Sequence, residues 1–165
     1  METRHRRSWH ASLRRHVRPQ GAAIVVFTPI PTNAPARPAP PTPGTIGWHE
    51  LYTTDLEGGF AFYNKLFGWT NVSEIDMGPM GTYRIFDEGG HKQMGDGGMM
   101  TKAPHIPASC WNFYFCVESI NAAVERVKSG GGKILNGPMQ VPGGSWVSQG
   151  QDPQGAMFSL VSSHE

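Results

Sequence analysis

A chain of 165 residues with 38% hydrophobic side chains is long enough for one domain, or for one domain with a tail. Its formal charge of +1 hides an asymmetry, since residues 1–47 hold seven arginines and one acid, a net charge of +6, whereas residues 48–165 hold seven bases and twelve acids, a net charge of −5. An acidic domain is a poor partner for phosphate backbones, which argues against nucleic-acid binding by the folded part.

The two cysteines indicate a reducing compartment. Cys110 and Cys116 lie six residues apart in one predicted strand, a span of about 20 Å when extended, so they cannot bridge each other there. Free thiols are typical of intracellular proteins. The predicted location is therefore cytoplasmic.

The N-terminal extension, residues 1–45, is predicted to be disordered. Seven prolines fall within residues 29–43, and residues 1–20 are rich in Arg and His without an apolar period. Such a composition cannot bury a core. The apolar run from Ala22 to Phe27 is too short to cross a bilayer, so no membrane partner is expected. A targeting segment or a tail that binds nucleic acid or another protein remain alternatives.

A first strand–helix–strand–strand–strand module is predicted from about residue 46 to residue 102. Residues 48–54 alternate in polarity as a strand does. Asp55 is the predicted N-cap of a helix whose apolar residues recur every three or four positions and which ends at Gly68. The remaining strands of this module are predicted at residues 69–77, 82–86 and 97–101.

A second module, from about residue 109 to residue 163, repeats this plan 64 positions later, so that Trp48 aligns with Asn112. Residues 110–117 form a strongly apolar predicted strand, and Ser119 or Glu118 caps the helix that follows. Its other strands are predicted at residues 133–135, 145–149 and 156–162. The chain is therefore expected to have an α+β fold in which two similar units build a cupped sheet around a cavity.

Three segments, in order and at suitable spacing, resemble the vicinal oxygen chelate superfamily, which includes glyoxalase I, bleomycin-resistance proteins and extradiol dioxygenases. They are residues 55–69 (DLEGGFAFYNKLFGW), residues 131–138 (GGKILNGP) and residues 152–155 (DPQG). The resemblance covers roughly residues 46–162. It implies one domain, residues 46–163, in which two tandem βαβββ modules form an open, cupped mixed β-sheet barrel with the helices outside.

Enzymes of that superfamily hold a divalent metal with one inward His, Gln or Glu from each of four strands. The matching positions here are Trp48, Gly98 or Met100, Asn112 and Ser159. Trp, Gly and Met are not ligands for a hard divalent ion, and Asn and Ser are weak neutral donors. No metal site and no cofactor are therefore predicted, although the resemblance alone would imply a metal.

Strand alternation predicts which side chains line the cup instead. The expected ligand-binding set is aromatic and rich in thioethers, with several polar groups: Trp48, Glu50, Tyr52, Met100, Asn112, Tyr114, Met157 and Ser159. Such a lining suits a flat, partly apolar organic ligand held by two or three hydrogen bonds. The alternative is that these side chains fill a small core that leaves no room for a ligand.

Glu50 is the predicted catalytic residue. A carboxylate within an aromatic cup could act as an acid or a base, with Tyr52 or Tyr114 donating to a developing oxyanion. It could instead reach solvent or pair with Arg84. His49 alternates onto the opposite face, under the first helix, and is predicted to be a buried structural residue.

The leading hypothesis is a small-molecule binding, possibly sequestering, protein of the glyoxalase and bleomycin-resistance type that lacks the usual metal ligands. Its expected partner is a small organic ligand, and the resemblance implies a homodimer. The alternative is a lyase, isomerase or dioxygenase of the same superfamily that acts on a small organic substrate, so whether the chain is an enzyme stays open. A third hypothesis is a non-catalytic partner module delivered by the basic tail.

Overall fold

The computed structural model describes residues 14–17, 21–26, 35–90 and 94–165, the first range as backbone alone. A single turn of 3-10 helix, Gly78–Met80, lies between the fourth and fifth strands. The strands and helices of the described ranges are, in chain order, β1 (Arg14–Val17), β2 (Ala23–Val26), β3 (Ile46–Thr53), α1 (Leu56–Phe67), β4 (Thr70–Asp76), β5 (Thr82–Asp87), β6 (Gly97–Thr101), β7 (Cys110–Cys116), α2 (Ile120–Ser129), β8 (Lys133–Gln140), β9 (Trp146–Gln151) and β10 (Met157–Ser162).

Eight strands form one open mixed sheet in the order β4-β5-β6-β3-β7-β10-β9-β8. Within each module the first strand pairs in parallel with the last, β3 with β6 and β7 with β10. The two modules meet where β3 and β7 pair antiparallel. Within the described residues β4 and β8 are the edge strands and do not pair with each other, so the sheet is open. The predicted α+β fold, two βαβββ modules in an open cupped sheet, is confirmed.

The larger core lies between α1 and the first half of the sheet. Leu51 and Met99 are fully buried there beneath a stack of aromatic rings. Trp69 stacks on Phe86 with centroids 4.3 Å apart and on Tyr63 with centroids 4.6 Å apart, an offset geometry that adds to the energy of burial. A smaller core under α2 contains Ile120, Ala123 and Leu160.

His49 lies on this aromatic side of the sheet, as predicted, but it is half-buried and not buried, with 21% of its side chain exposed. Its centroid is 5.3 Å from the Phe86 ring, in an edge-on arrangement, and its Nε2 atom is 3.1 Å from Oε1 of Glu88. Residues of β3 with odd numbers therefore face the helices, and those with even numbers face the concave side.

Local sequence signals set the ends of both helices. The Asp55 carboxylate accepts a hydrogen bond from the Gly58 amide at 3.0 Å, and α1 ends at Gly68, whose φ of 77° is the left-handed conformation that glycine adopts without strain. Ser119 caps α2 by accepting from the Ala122 amide at 3.2 Å. Of the two candidate caps for α2, the serine is the one used.

Arg84 ties α1 to the sheet. Its Nε atom donates to Glu74 of β4 at 2.8 Å, and its NH1 atom donates to Glu57 of α1 at 3.1 Å. The guanidinium also lies over the Phe60 ring, 4.9 Å from its centroid. The suggested pairing of Arg84 with Glu50 is therefore wrong, because Arg84 faces the helix and Glu50 faces the concave side.

Within the N-terminal extension, residues 1–45, the structure describes two short strands that the sequence did not predict. β1 and β2 pair antiparallel, and Ala22 is fully buried in the larger core with Ile24 packed beside it. The apolar run that begins at Ala22 explains the docking, since burying it removes apolar surface from water. Residues 1–13, 18–20 and 27–34 lie outside the described ranges. Among the described helices, none has the length and hydrophobicity that crossing a bilayer requires.

Candidate ligand-binding cup

The concave face of the sheet gathers the even-numbered side chains of β3 and their neighbours on β7. Asn112 lies opposite Glu50 in the β3–β7 pairing, and Tyr114 lies opposite Trp48. Ser159 of β10 lies beside Tyr114. The expected alternation thus holds across the centre of the sheet, which is where the two modules join.

Glu50 lies at the centre of this face and is 7% exposed. Its Oε1 atom accepts a hydrogen bond from the Tyr83 hydroxyl at 2.7 Å. Its Oε2 atom accepts from Tyr52 at 2.7 Å and from Tyr114 at 2.8 Å. Three phenols therefore replace the water that burial removes from this carboxylate.

Each of the three phenol oxygens also accepts a hydrogen bond from a nitrogen donor. Trp48 Nε1 donates to Tyr83 at 2.9 Å, and the Gln149 amide nitrogen donates to both Tyr52 and Tyr114 at 3.1 Å. We call this set of six residues the Glu50 network: Trp48, Glu50, Tyr52, Tyr83, Tyr114 and Gln149. Its hydrogen bonds all run in one direction, from the two nitrogen donors through the phenols to the carboxylate. Hydrogen bonds aligned in this way polarise one another and strengthen the whole chain of contacts.

The three phenols in the Glu50 network are held in their neutral form. Burial, followed by the nearby negative charge of Glu50, raises the pKa of Tyr52, Tyr83 and Tyr114 well above the ordinary value of a phenol. A neutral phenol keeps its proton for donation. The arrangement therefore suits an ionised Glu50, which offers acceptors alone.

Gly98 makes room for Tyr83. A Cβ atom at position 98 would lie 2.1 Å from the Tyr83 hydroxyl oxygen and 2.2 Å from the ring carbon that carries it. Tyr83 comes from β5 and has to cross β6 to reach Glu50. The lack of a side chain at position 98 is what permits this crossing.

Beside the Glu50 network lies a second polar pair. Asn112 Nδ2 donates to the Ser159 hydroxyl at 2.8 Å, and both residues are buried. The other amide atom of Asn112, Oδ1, is buried and finds no hydrogen-bond partner among the residues that the structure describes. A buried amide atom without a partner is costly and commonly marks a position for a water molecule or a ligand.

Methionines lie around the outer part of the concave face. Met157 pairs with Gln151 and is 56% exposed, while Met139 pairs with Val147 and is 36% exposed. Met100 is half-buried on the same face, next to Tyr83 in the β5–β6 pairing. Thioethers adapt to flat ligands of varied shape because their side chains are unbranched and flexible.

A concavity of about 420 Å³ lies at one end of the concave face. Its floor includes Cys116 and Val161, each two residues beyond a cup residue on its strand, and one wall is formed by Pro40, Pro41 and Pro43. The proline segment is anchored to β7 by Gly44, whose amide donates to the Cys116 carbonyl at 2.9 Å. None of the described residues that line this hollow belongs to the Glu50 network, so the hollow lies to one side of the network and not over it.

The structure brings most of the expected site residues together. Trp48, Glu50, Tyr52 and Tyr114 belong to the Glu50 network, whereas Asn112 and Ser159 form the adjacent pair. Met100 and Met157 share the face but make no hydrogen bond to either group. Their roles as ligand contacts, and that of Glu50 in catalysis, stay predictions.

Sequence reasoning missed Tyr83 and Gln149. Tyr83 belongs to a recognised strand, but its contact with Glu50 depends on the pairing of β5 with β6 and of β6 with β3. Gln149 ends the predicted strand that corresponds to β9. Its contact with Tyr114 depends on the pairing of β9 with β10 and of β10 with β7. The available signal was that each of these two strands contains a side chain able to form hydrogen bonds, Tyr83 in one and Gln149 in the other.

The residues present do not fit the divalent metal that this type of fold implies. The four matching positions offer an indole, a glycine or thioether, an amide and a hydroxyl, and the amide and hydroxyl bond each other. Among the described residues Glu50 supplies the carboxylate of this face, and both its oxygens accept from phenols. Among the described residues, no three His, Cys, Asp or Glu side chains are grouped as a metal site would require.

A model of the Glyoxalase/Bleomycin resistance protein/Dioxygenase superfamily matches residues 45–160. The protein named "Putative glyoxylase CFP32" from Mycobacterium tuberculosis is 33% identical over 119 residues, which are 72% of this chain and 44% of that protein. The anthracycline biosynthesis protein DnrV from Streptomyces peucetius is 30% identical over 133 residues, with 72% of this chain and 46% of that protein covered. The chain thus spans just under half the length of these relatives.

Two solved structures illustrate the similarity of fold. The Mn(II)-bound glyoxalase from Novosphingobium aromaticivorans matches with a TM-score of 0.66 at 16% identity, over 93% of this chain and 50% of that chain. Methylmalonyl-CoA epimerase from Mycobacterium tuberculosis matches with a TM-score of 0.54 at 13% identity, over 76% of this chain and 92% of that chain. The chain belongs to the Glyoxalase/Bleomycin resistance protein/Dioxygenase superfamily.

Proposed function

We propose that the cup binds a small, flat, partly apolar organic molecule without the help of a metal ion. The observation that carries the proposal is the Glu50 network, which occupies the centre of the concave face with hydrogen-bonded neutral donors around one carboxylate. A polar floor of fixed geometry under an apolar rim is the usual composition of a small-molecule site.

Exposure favours a ligand site over a closed core. Trp48, Tyr52, Tyr83 and Gln149 are all half-buried, so the network has an open side, while Met157 is largely exposed on the same face. A core would bury these groups completely. The hollow of about 420 Å³ at one end of the concave face is lined by residues outside the network, so it adds room only for the part of a larger ligand that extends past the network.

The polar groups define what the ligand should carry. The Oδ1 atom of Asn112 is buried and has no partner among the described residues, so a ligand N–H or O–H group that enters beside Asn112 would satisfy it. Tyr52 and Trp48 offer ring surfaces on which a flat molecule can stack. A planar heterocycle with one or two donors satisfies both features.

Protein-observed NMR tests the proposal directly. The ¹⁵N-labelled full chain is titrated with a panel of mono- and bicyclic aromatic amines, ketones and carboxylic acids in the presence of EDTA. We expect at least one compound to shift the Trp48 indole N–H signal saturably. Trp48→Phe and Asn112→Ala should weaken that compound's binding measured by calorimetry, while Lys128→Gln, on the exposed side of α2, should leave it unchanged.

Two outcomes of that titration contradict the proposal. One is a panel in which no compound moves the Trp48 signal. The other is a shift that requires an added divalent ion and disappears with EDTA. The predicted homodimer is a separate proposal, which light scattering of the full chain tests.

An enzymatic function is the second candidate. It rests on Glu50, a buried carboxylate whose partner Tyr52 is half-buried and so links it to the open side of the cup. In such a function Glu50 would accept a proton from the substrate, and the phenols would hold the carboxylate in place. Glu50→Gln should then abolish turnover of any identified substrate while leaving its binding within about threefold.

A further inference from the structure

A second hollow lies on the opposite face of the sheet, away from the cup. It has a volume of about 360 Å³ and lies between the N-terminal hairpin and the end of α1. We call it the outer groove. The residues that line it include His49, Trp69, Trp111, Ile24, Phe67 and Phe113.

Of the nine described residues that line the outer groove, six carry rings. The His49 and Trp111 centroids are 5.5 Å apart, and Trp69 meets Trp111 edge to face at 6.0 Å. Phe67 and Phe113 are 44% and 42% exposed at its rim, although large apolar side chains are normally buried. An exposed apolar patch beside a hollow commonly marks a binding surface.

One polar atom of a residue that lines the groove, a ring nitrogen of His49, has no hydrogen-bond partner within the described part of the chain. The Nε2 atom of His49 contacts the Glu88 carboxylate at 3.1 Å, and because a carboxylate can only accept, Nε2 carries the proton. In the neutral ring the Nδ1 atom is then an acceptor. It makes no hydrogen bond to any residue in the described ranges. The Tyr63 hydroxyl, in contrast, already accepts from Trp111 Nε1 at 2.8 Å.

We propose that the outer groove binds a planar bicyclic aromatic molecule that carries one hydroxyl or N–H donor. The ring system packs on Trp111 and Phe113 beside the edge of Trp69, whose two faces are already stacked on Phe86 and Tyr63. The ligand's donor bonds Nδ1 of His49, whose tautomer Glu88 fixes. This site is distinct from the cup, because the two lie on opposite faces of the sheet. A ligand in one makes no contact with the other.

The matched probes 2-naphthol and 2-methylnaphthalene test the proposal on the ¹⁵N-labelled full chain, since they differ in one hydrogen-bond donor. We expect 2-naphthol to shift the indole N–H signals of Trp69 and Trp111 and to leave that of Trp48 in place. The naphthol should bind about five- to tenfold more tightly than the hydrocarbon, the usual contribution of one hydrogen bond. His49→Phe should remove this preference while both probes still bind.

A conservative variant separates hydrogen bonding from packing. Glu88→Gln retains a carbonyl oxygen that can accept from His49 Nε2, so we expect the naphthol preference to persist. The proposal is overturned if His49→Phe keeps the preference, or if neither probe moves the Trp69 and Trp111 signals. A shift of Trp48 alone would also overturn it, because that result places the naphthol in the cup.

Discussion

At the scale of single residues, Glu50 illustrates how an acidic side chain can be buried at low cost. Moving an isolated carboxylate out of water is very unfavourable. Here Tyr52, Tyr83 and Tyr114 each donate to it at 2.7–2.8 Å, and hydrogen bonds to a charged acceptor are roughly twice as strong as neutral ones. The buried charge is therefore compensated without a cation.

Because of the same contacts, the stability of the fold should decrease at alkaline pH. The pKa of each of these three phenols is raised in the folded chain, so above about pH 10 the unfolded chain loses phenol protons that the folded chain retains. The unfolded state is then favoured, and stability falls as pH rises. We expect the free energy of unfolding in urea to decline steeply above pH 10, and Tyr52→Phe to make the decline shallower. A flat profile between pH 9 and pH 11 would contradict this account.

Gly98 is expected to be intolerant of any side chain. In Gly98→Ala the new methyl group overlaps the Tyr83 hydroxyl, so Tyr83 has to leave Glu50, and the free energy of unfolding should fall by about 2–3 kcal/mol. In a Tyr83→Ala background the same change should cost less than about 0.5 kcal/mol, because the clash is gone. Urea denaturation of the four variants of this cycle measures the difference. Equal costs in both backgrounds would show that the overlap is unimportant.

The residues of the site were predictable to the extent that alternation along one strand decides them. Trp48, Glu50 and Tyr52 follow from the period of β3, and Asn112 and Tyr114 from that of β7. Tyr83 and Gln149 could not be found in this way, because their contacts with the Glu50 network cross neighbouring strands. Register between strands depends on tertiary packing, which a local pattern does not contain.

At the scale of elements, local chemistry was a sufficient guide to the helices but not to the N-terminal hairpin. Asp55, Gly68 and Ser119 are caps whose signals lie within a few residues of each helix end. The hairpin, in contrast, is stabilised by distant contacts, since Ala22 packs into the core under α1. Its flanking prolines and arginines indicated disorder because composition says nothing about such docking.

Docking of the hairpin can be tested with two adjacent alanines. Ala22 is fully buried, whereas its neighbour Ala23 is exposed. Ala22→Asp places a charge against the aromatic core and should lower the free energy of unfolding by about 1–3 kcal/mol. Ala23→Asp should change it by less than about 0.5 kcal/mol. Equal effects in thermal and urea unfolding would indicate that the hairpin does not pack on the domain.

At the scale of the whole molecule, the open sheet has two faces, and each carries a separate potential site. The helices pack on one side of the open sheet, and the concave side is left for the Glu50 network. The outer groove occurs where the hairpin meets the end of α1. The cupped sheet is the fold of the superfamily, whereas the Glu50 network within it is formed by side chains read from this sequence.

The central claim is that the cup contains a hydrogen-bonded carboxylate network rather than a set of metal ligands. Adding one equivalent of Mn(II) to the ¹⁵N-labelled protein tests it, because a paramagnetic ion broadens nearby signals strongly. We expect the Trp48 indole and Asn112 side-chain amide signals to keep their intensity, as they do in a matched sample with excess EDTA. Selective loss of these two signals at equimolar Mn(II), reversed by EDTA, would contradict the account.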